Sequence, residues 1–196
     1  MYYKEFPMKL VFIRHGQTDY NEKKAFYGST DVSINETGKK QARIIHNKVK
    51  KYRLNNIYTS EMSRTVETAK IIFPIAKVHK KKFLNELGFG MWEGMTADEI
   101  QENFPLEWIS WLNNPFEYTP PGASSFKSHK EKVILGFKKI IADDENIAFV
   151  IHLGTIRILL NYIFPEVDFW DIYLEQENIT VIEYSEGIFK KEKWNL

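Results

Sequence analysis

Residues 9–13 are apolar on both faces, rich in β-branched and aromatic side chains, and stop at a charged residue followed by Gly16. A strand with no polar side must be covered on both faces, so this run predicts a buried strand of the parallel type. After a polar loop, Ala42, Ile45, Val49 and Tyr52 recur at helical spacing behind Asn35, a residue suited to cap the first turn. Residues 56–59 predict a short strand. Ser60 stands where a cap would precede a helix with the stripe Met62, Val66, Ala69 and Phe73, ended by Pro74. Residues 77–80 predict another strand, and residues 81–87 lead into a turn holding Gly88, Gly90 and Gly94. Phe126, Val133, Phe137 and Ile140 mark a long helix, residues 147–151 the second wholly apolar strand, and Ile156, Leu159, Leu160 and Ile163 the helix after it. The chain closes with strands over 179–184 and 188–194, joined near Gly187 as a hairpin.

Strands alternating with helices predict an α/β fold: a three-layer sandwich, with a mostly parallel sheet and helices on both faces. Between Thr96 and Ser125 the texture changes. Phe104, Trp108, Trp111, Phe116 and Tyr118 are interrupted by Pro105, Pro115, Pro120 and Pro121. So long an excursion between core elements predicts an inserted lid segment, about residues 95–125, within a single domain spanning residues 1–196. The tryptophans and Phe116 are read as lid core. Residues 1–7 read as a loose leader with no assigned role.

Composition narrows the chemistry. A chain of 196 residues without cysteine has no disulfide scaffold, thiolate metal site or cysteine nucleophile, and fits a reducing compartment. Lys+Arg at 27 against Asp+Glu at 26 provides no global field for nucleic acid or an anionic membrane, so any anion site is local. No run is long enough for a membrane span or a signal core, which places the protein in the cytoplasm by expectation. Gly38-Lys39 is followed by Lys40 where a P-loop needs a hydroxyl residue. No spacing of histidines or carboxylates suggests a metal, and no cofactor is expected.

Two histidines fall at comparable places. Arg14-His15-Gly16 follows the first buried strand and His152-Leu153-Gly154 follows the other. Functional crevices of open α/β sheets lie at the carboxyl ends of strands, so both rings can face one pocket, beside an arginine. His46, His79 and His129, each amid lysines, are read as surface residues.

The segment Arg14-His15-Gly16-Gln17-Thr18 with Asn21 resembles the signature of the histidine phosphatase superfamily, the phosphoglycerate mutase-like fold. Further blocks follow in the family's order from residue 8 to about 160: Gly28, Asp31, Asn35, Gly38, Gln41 and Ala42; Ser60, Arg64, Thr68 and Ala69; Leu84, Glu86, Phe89, Gly90, Trp92, Glu93 and Gly94; and His152, Gly154, Ile156 and Arg157. The resemblance implies that His15 attacks phosphorus and becomes a phosphohistidine. It implies that Arg14, Arg64 and His152 hold the phosphoryl oxygens, with Asn21 and the Leu153 backbone as further substrate contacts, and that Glu86, enclosed by Phe89 and Trp92, is the acid. Glu93 is the runner-up acid. Two departures stand out. Ile151 and Leu153 replace the small residues that usually flank the second histidine, and the turn from Pro121 to Ser125 lacks the family's glutamate.

The expected activity is a phosphomonoesterase using a small-molecule phosphomonoester, with no nucleic acid or membrane partner and a homodimer left open. Length and the glycine-rich block resemble the α-ribazole phosphatase branch. A broad-specificity or sugar-phosphate phosphatase is the near alternative. A phosphoglycerate mutase or a non-catalytic phosphate-binding module ranks lower.

Overall fold

The computed structural model describes residues 7–54, 56–143 and 145–195, so most of the leader lies outside the described residues. In chain order the elements are β1 (Met8–Arg14), α1 (Asp19–Glu22), α2 (Glu36–Val49), β2 (Asn56–Thr59), α3 (Ser63–Ile72), β3 (Val78–Lys80), α4 (Ala97–Asn103), α5 (Pro105–Asn113), α6 (Phe126–Ile140), β4 (Ile147–Ile151), α7 (Leu153–Ile163), β5 (Ile179–Ser185) and β6 (Ile188–Lys193). The strands form one sheet in the order β3-β2-β4-β1-β5-β6. Neighbours from β3 to β1 run parallel, and β5 and β6 pair antiparallel. The two wholly apolar runs, β1 and β4, take the central places, where a strand has neighbours on both edges and helices on both faces.

Alternation within those strands divides the core. Leu10, Phe12, Phe149 and Ile151 face α6 and α7, while Val11, Ile13, Ala148 and Val150 face α2 and α3. These are the three layers. Phe12 and Phe149 stack at 5.4 Å with Phe137 of α6 behind them, each such side chain contributing about 2–3 kcal/mol by leaving water.

Register positions the chemistry. Ile13 pairs with Val150 and Arg14 with Ile151, so β1 and β4 end level, and the His15 N–H donates to the Ile151 carbonyl at 2.9 Å. The residues that leave the sheet there, His15 and His152, therefore emerge side by side. The loop after β1 then presses on the first turn of α2, where Asn35 caps by accepting from the Gly38 N–H. A Cβ at Gly38 would sit 2.4 Å from the Gln17 carbonyl oxygen, so only glycine permits this approach.

The excursion after the glycine-rich turn contains two helices, α4 and α5, with their own small core of Trp92, Ile100 and Trp108. Thr96 starts α4 with a capping box to Glu99. Several expectations need correction. Ser60 does not cap α3: the cap position is Met62, which makes no side-chain cap bond. Tyr52 falls in a 3-10 turn beyond α2. Of the three histidines read as surface residues, His46 is half-buried and bonds the Ile72 carbonyl through Nδ1, and the His79 ring lies 5.4 Å from that of Tyr58. His129 turns inward from α6, with its Nε2 buried and without a partner among the described residues. Lysine-rich surroundings mislead here because each helix or strand has an inner face as well. No described helix is long and apolar enough to cross a membrane.

Candidate active site

His15 is 4% exposed, and its Nδ1 lies 2.8 Å from the Gly16 carbonyl oxygen. A carbonyl only accepts, so Nδ1 carries the proton and the lone pair is on Nε2. Burial pushes the imidazole well below its usual range, and the guanidinium groups of Arg14 and Arg64 push it further. The ring is therefore neutral, in the tautomer that leaves one nitrogen free to act as a nucleophile.

Arg14 contributes a buried Nε that has no partner among the described residues. An orphaned buried N–H is costly unless an anion or water completes it. Arg64, on the first turn of α3, is fully buried. Its Nη1 and Nη2 donate to the Thr30 and Gly28 carbonyls at 2.9 and 2.7 Å, and its Nε donates to His152 Nδ1 at 3.2 Å. Three of its five N–H groups are thus used to fix the fork, leaving two. Because an arginine Nε is always a donor, His152 Nδ1 must be unprotonated, so Nε2–H donates to Ser60 Oγ at 2.9 Å. Ser60 also bonds Thr65 and accepts from the Met62 N–H. The serine read as a cap is the group that orients His152. The rings of His15 and His152 lie 5.3 Å apart, and burial followed by Arg64 and His15 keeps His152 neutral too.

Neutral burial of both imidazoles fixes a sign. Below about pH 6.5 the unfolded chain takes up protons at these positions and the folded one does not, so stability must fall as pH falls. The expected slope approaches about 1.4 kcal/mol per pH unit for each ring. Urea unfolding at a series of pH values between 7 and 5 checks it, and His15→Asn should reduce the slope.

Glu86 lines the same cleft. Its Oε2 accepts from the Gly154 N–H at 2.9 Å, and its Oε1 from the Thr155 hydroxyl at 3.3 Å and the Leu87 N–H at 3.1 Å. The carboxyl is docked on the N-terminal turn of α7, and a Cβ at Gly154 would stand 2.7 Å from Oε1, so that glycine makes the docking possible. Phe89 lines the cleft as expected, but Trp92 does not enclose Glu86: it is buried against Trp108 and Trp111 in the small core of the excursion that holds α4 and α5. The Leu153 N–H, at the same helix N-terminus, has no acceptor among the described residues.

Glu93, the runner-up acid, has a different task. Its carboxylate accepts from the backbone N–H groups of Gly28, Ser29, Thr30 and Phe89 and from the hydroxyls of Ser29 and Thr30. Burial opposes its charge, but these bonds, led by the Ser29 and Thr30 side chains, hold it down at about 2. A carboxyl so held has no proton to give. It clamps the loop whose carbonyls hold Arg64. Its stabilisation is present above the unfolded value near 4.5 and is lost as pH falls toward 2. Glu93→Gln, which accepts through one oxygen only, should cost about 1–2 kcal/mol in urea unfolding, a figure kept low by partial exposure, and should raise KM through a loosened Arg64.

Arg14, His15, Asn21, Arg64, Glu86, His152 and Leu153 all line one cleft of about 440 Å³. Asn21 reaches it with its amide fixed, because Oδ1 accepts from the Thr18 N–H, the Tyr27 hydroxyl and Gln176 Nε2. Tyr27 and Gln176 also line the cleft and escaped the sequence reading, and so does Gln17, which the signature segment contains but to which it gave no role. Tyr27 lies with its ring 4.8 Å from the Arg64 guanidinium carbon. Among the described residues there is no group of three or more histidines, aspartates and glutamates able to hold a metal ion.

Comparison with known proteins places this geometry. Residues 10–196 match the sequence model of the "Histidine phosphatase superfamily (branch 1)". The chain is 30% identical over 128 residues to "Phosphoserine phosphatase 1" of Hydrogenobacter thermophilus, across 64% of this chain and 61% of that enzyme. It is 29% identical over 165 residues to the "2,3-bisphosphoglycerate-dependent phosphoglycerate mutase" of Parvibaculum lavamentivorans, across 79% of each. The crystal structure of the "Alpha-ribazole Phosphatase from Shigella flexneri" superposes with a TM-score of 0.89 over 96% of both chains, and its 22% identity makes this a likeness of fold. The chain belongs to the histidine phosphatase superfamily, branch 1, and its family and phosphatase-named relatives support the activity of a phosphatase hydrolase.

Proposed function

We propose that the protein is a phosphomonoesterase working through a phosphohistidine on His15, with α-ribazole 5'-phosphate as the foremost candidate substrate. The observation that carries this reading is the neutral His15, its Nδ1 proton tied to Gly16 and its Nε2 in a cleft with the fixed Arg64 fork and with an Arg14 Nε that has no partner among the described residues. Nε2 attacks phosphorus and the bond to the ester oxygen breaks. Charge on the transferring group meets Arg14, Arg64 and the Leu153 N–H at the start of α7. The leaving oxygen takes a proton from Glu86. Glu86, now a carboxylate, takes a proton from water as that water attacks the phosphohistidine. Inorganic phosphate leaves and neutral His15 returns.

Ile151 is wholly buried in the core, and Leu153 lines the cleft with no acceptor for its backbone N–H among the described residues, so the bulk at these positions is compatible with this scheme. The absence of cysteine fits a cytoplasmic enzyme. The α-ribazole candidate is supported by the fold likeness to the Shigella enzyme and by aromatic side chains beside Glu86. A screen of phosphorylated metabolites tests it, including α-ribazole 5'-phosphate, phosphoserine, sugar phosphates, and monophosphoglycerate with and without bisphosphoglycerate. Hydrolysis led by α-ribazole phosphate is the expected result. Transfer between phosphoglycerates instead of release would make the protein a mutase, and a folded protein inert to the whole panel would make it a binding module.

A further inference from the structure

Beside the phosphate cleft lies a second cavity of about 330 Å³, and the two share Phe26, Tyr27, Glu86, Phe89 and Leu153 along their border. The second is walled by Trp111, Phe116, Phe126, Phe169 and Trp170, with Arg157 as a cation among them. Its place follows from the chemistry. If the phosphoryl group is held at His15 and the ester oxygen must reach Glu86, the body of the leaving alcohol continues past Glu86 into this space.

The walls select what fits. Trp111 stacks on Trp108 behind it, with ring centroids 5.3 Å apart and planes at 19°, and Phe116 stacks on Trp170 at 5.6 Å and 18°. Phe116 also meets Phe126 and Phe169 at 4.9 and 5.1 Å. Rings braced in this way present fixed π surfaces, which reward a flat partner more than a puckered one of equal bulk. A zwitterionic or polyhydroxy body placed inside the cavity would lose its water against carbon on most sides. Arg157 is held by its Nε bond to the Ile172 carbonyl at 2.8 Å, with its guanidinium carbon 5.3 Å from the Trp170 ring centroid and 5.8 Å from that of Phe169. Its Nη groups have no acceptor among the described residues.

From this we infer that the cavity is the leaving-group subsite and takes an alcohol that bears a planar aromatic or heteroaromatic ring, the ring stacked on the Phe116 and Trp170 wall with a ring acceptor turned to Arg157. The inference rests on the phosphomonoesterase reading, and its test does not need turnover. Dissociation constants are measured by calorimetry for 2-phenylethylphosphonate, 2-cyclohexylethylphosphonate and propylphosphonate, which share the phosphonate head and differ in the body. The phenyl compound should bind about 100-fold more tightly than the propyl one, the scale of burying one ring. It should also bind more tightly than the cyclohexyl compound. In Trp170→Ala and Phe116→Ala the phenyl-to-propyl ratio should fall about tenfold, and Trp170→Phe should restore it, which a merely structural role would not do. Equal affinity for phenyl and propyl overturns the subsite, and equal affinity for phenyl and cyclohexyl overturns its planarity. Failure of the whole chain to hydrolyse any phosphomonoester, by contrast, strikes the phosphatase reading and leaves these ratios to be judged separately.

Discussion

His15→Ala is expected to lose turnover by at least about 10⁴-fold, because removing a covalent nucleophile removes the step itself and leaves only binding and electrostatics. Phosphate binding should survive in part. The anion contacts come from other elements: Arg14 at the end of β1, Arg64 on α3, held by the Gly28 and Thr30 carbonyls, and the Leu153 N–H at the start of α7. None of these depends on the His15 ring for its position. His152 keeps its bonds to Arg64 and Ser60 in the variant. The checks are steady-state assays on an alkyl phosphate together with the rise in melting temperature on adding inorganic phosphate, which reports binding to the folded protein. Activity near the parent's level would falsify the nucleophile assignment. Loss of both activity and the phosphate-dependent rise would show His15 to be part of the binding site instead.

Glu86→Gln carries the second large effect, and it is graded by substrate. Alkyl phosphates release a basic alkoxide and need the proton, so their kcat should fall about 10²–10⁴-fold. Nitrophenyl phosphate releases a stable anion, and its loss should stay within about tenfold. Glutamine is the right replacement because its carbonyl oxygen can still accept from the Gly154 N–H while its amide donates to the Thr155 hydroxyl, so the docking on α7 is kept at the loss of the Leu87 N–H bond, and the transferable proton is removed. Equal losses on both substrates would take Glu86 out of the acid role.

How far this site is legible without coordinates depends on the kind of information each residue carries. β1 and β4 declare themselves because a central strand needs apolar residues on both faces, and that demand is written locally. His15 and His152 inherit their positions from those strands, so one rule about strand ends brings them together. The cap at Asn35 is also local. Ser60 is different. A hydroxyl beside a helix start has a ready local explanation, and its actual partner, His152, is 92 residues away across the sheet. Glu93 likewise shares its block with Glu86, and only the fold shows that its oxygens are taken up by residues 28–30, 63 to 65 positions earlier. Gln176 meets Asn21 over 155 residues. Pairings of this sort leave no periodic trace, because neither partner's neighbours need change to permit them. The excursion that holds α4 and α5 is intermediate. Its aromatic richness predicts a separate small core, which forms around Trp92, Ile100 and Trp108, but not that Trp111 and Phe116 turn toward the cleft's neighbour.

The proposed reaction passes through a covalent bond between phosphorus and one imidazole nitrogen. The most direct measurement mixes enzyme with a fast aryl phosphate, quenches in alkali within the first turnover, and locates the phosphoryl group by peptide mass spectrometry. A phosphoryl group on His15, stable to alkali and lost in acid, is the predicted result. Rapid turnover with that peptide unmodified at every quench time, or with the label on another residue, would contradict it.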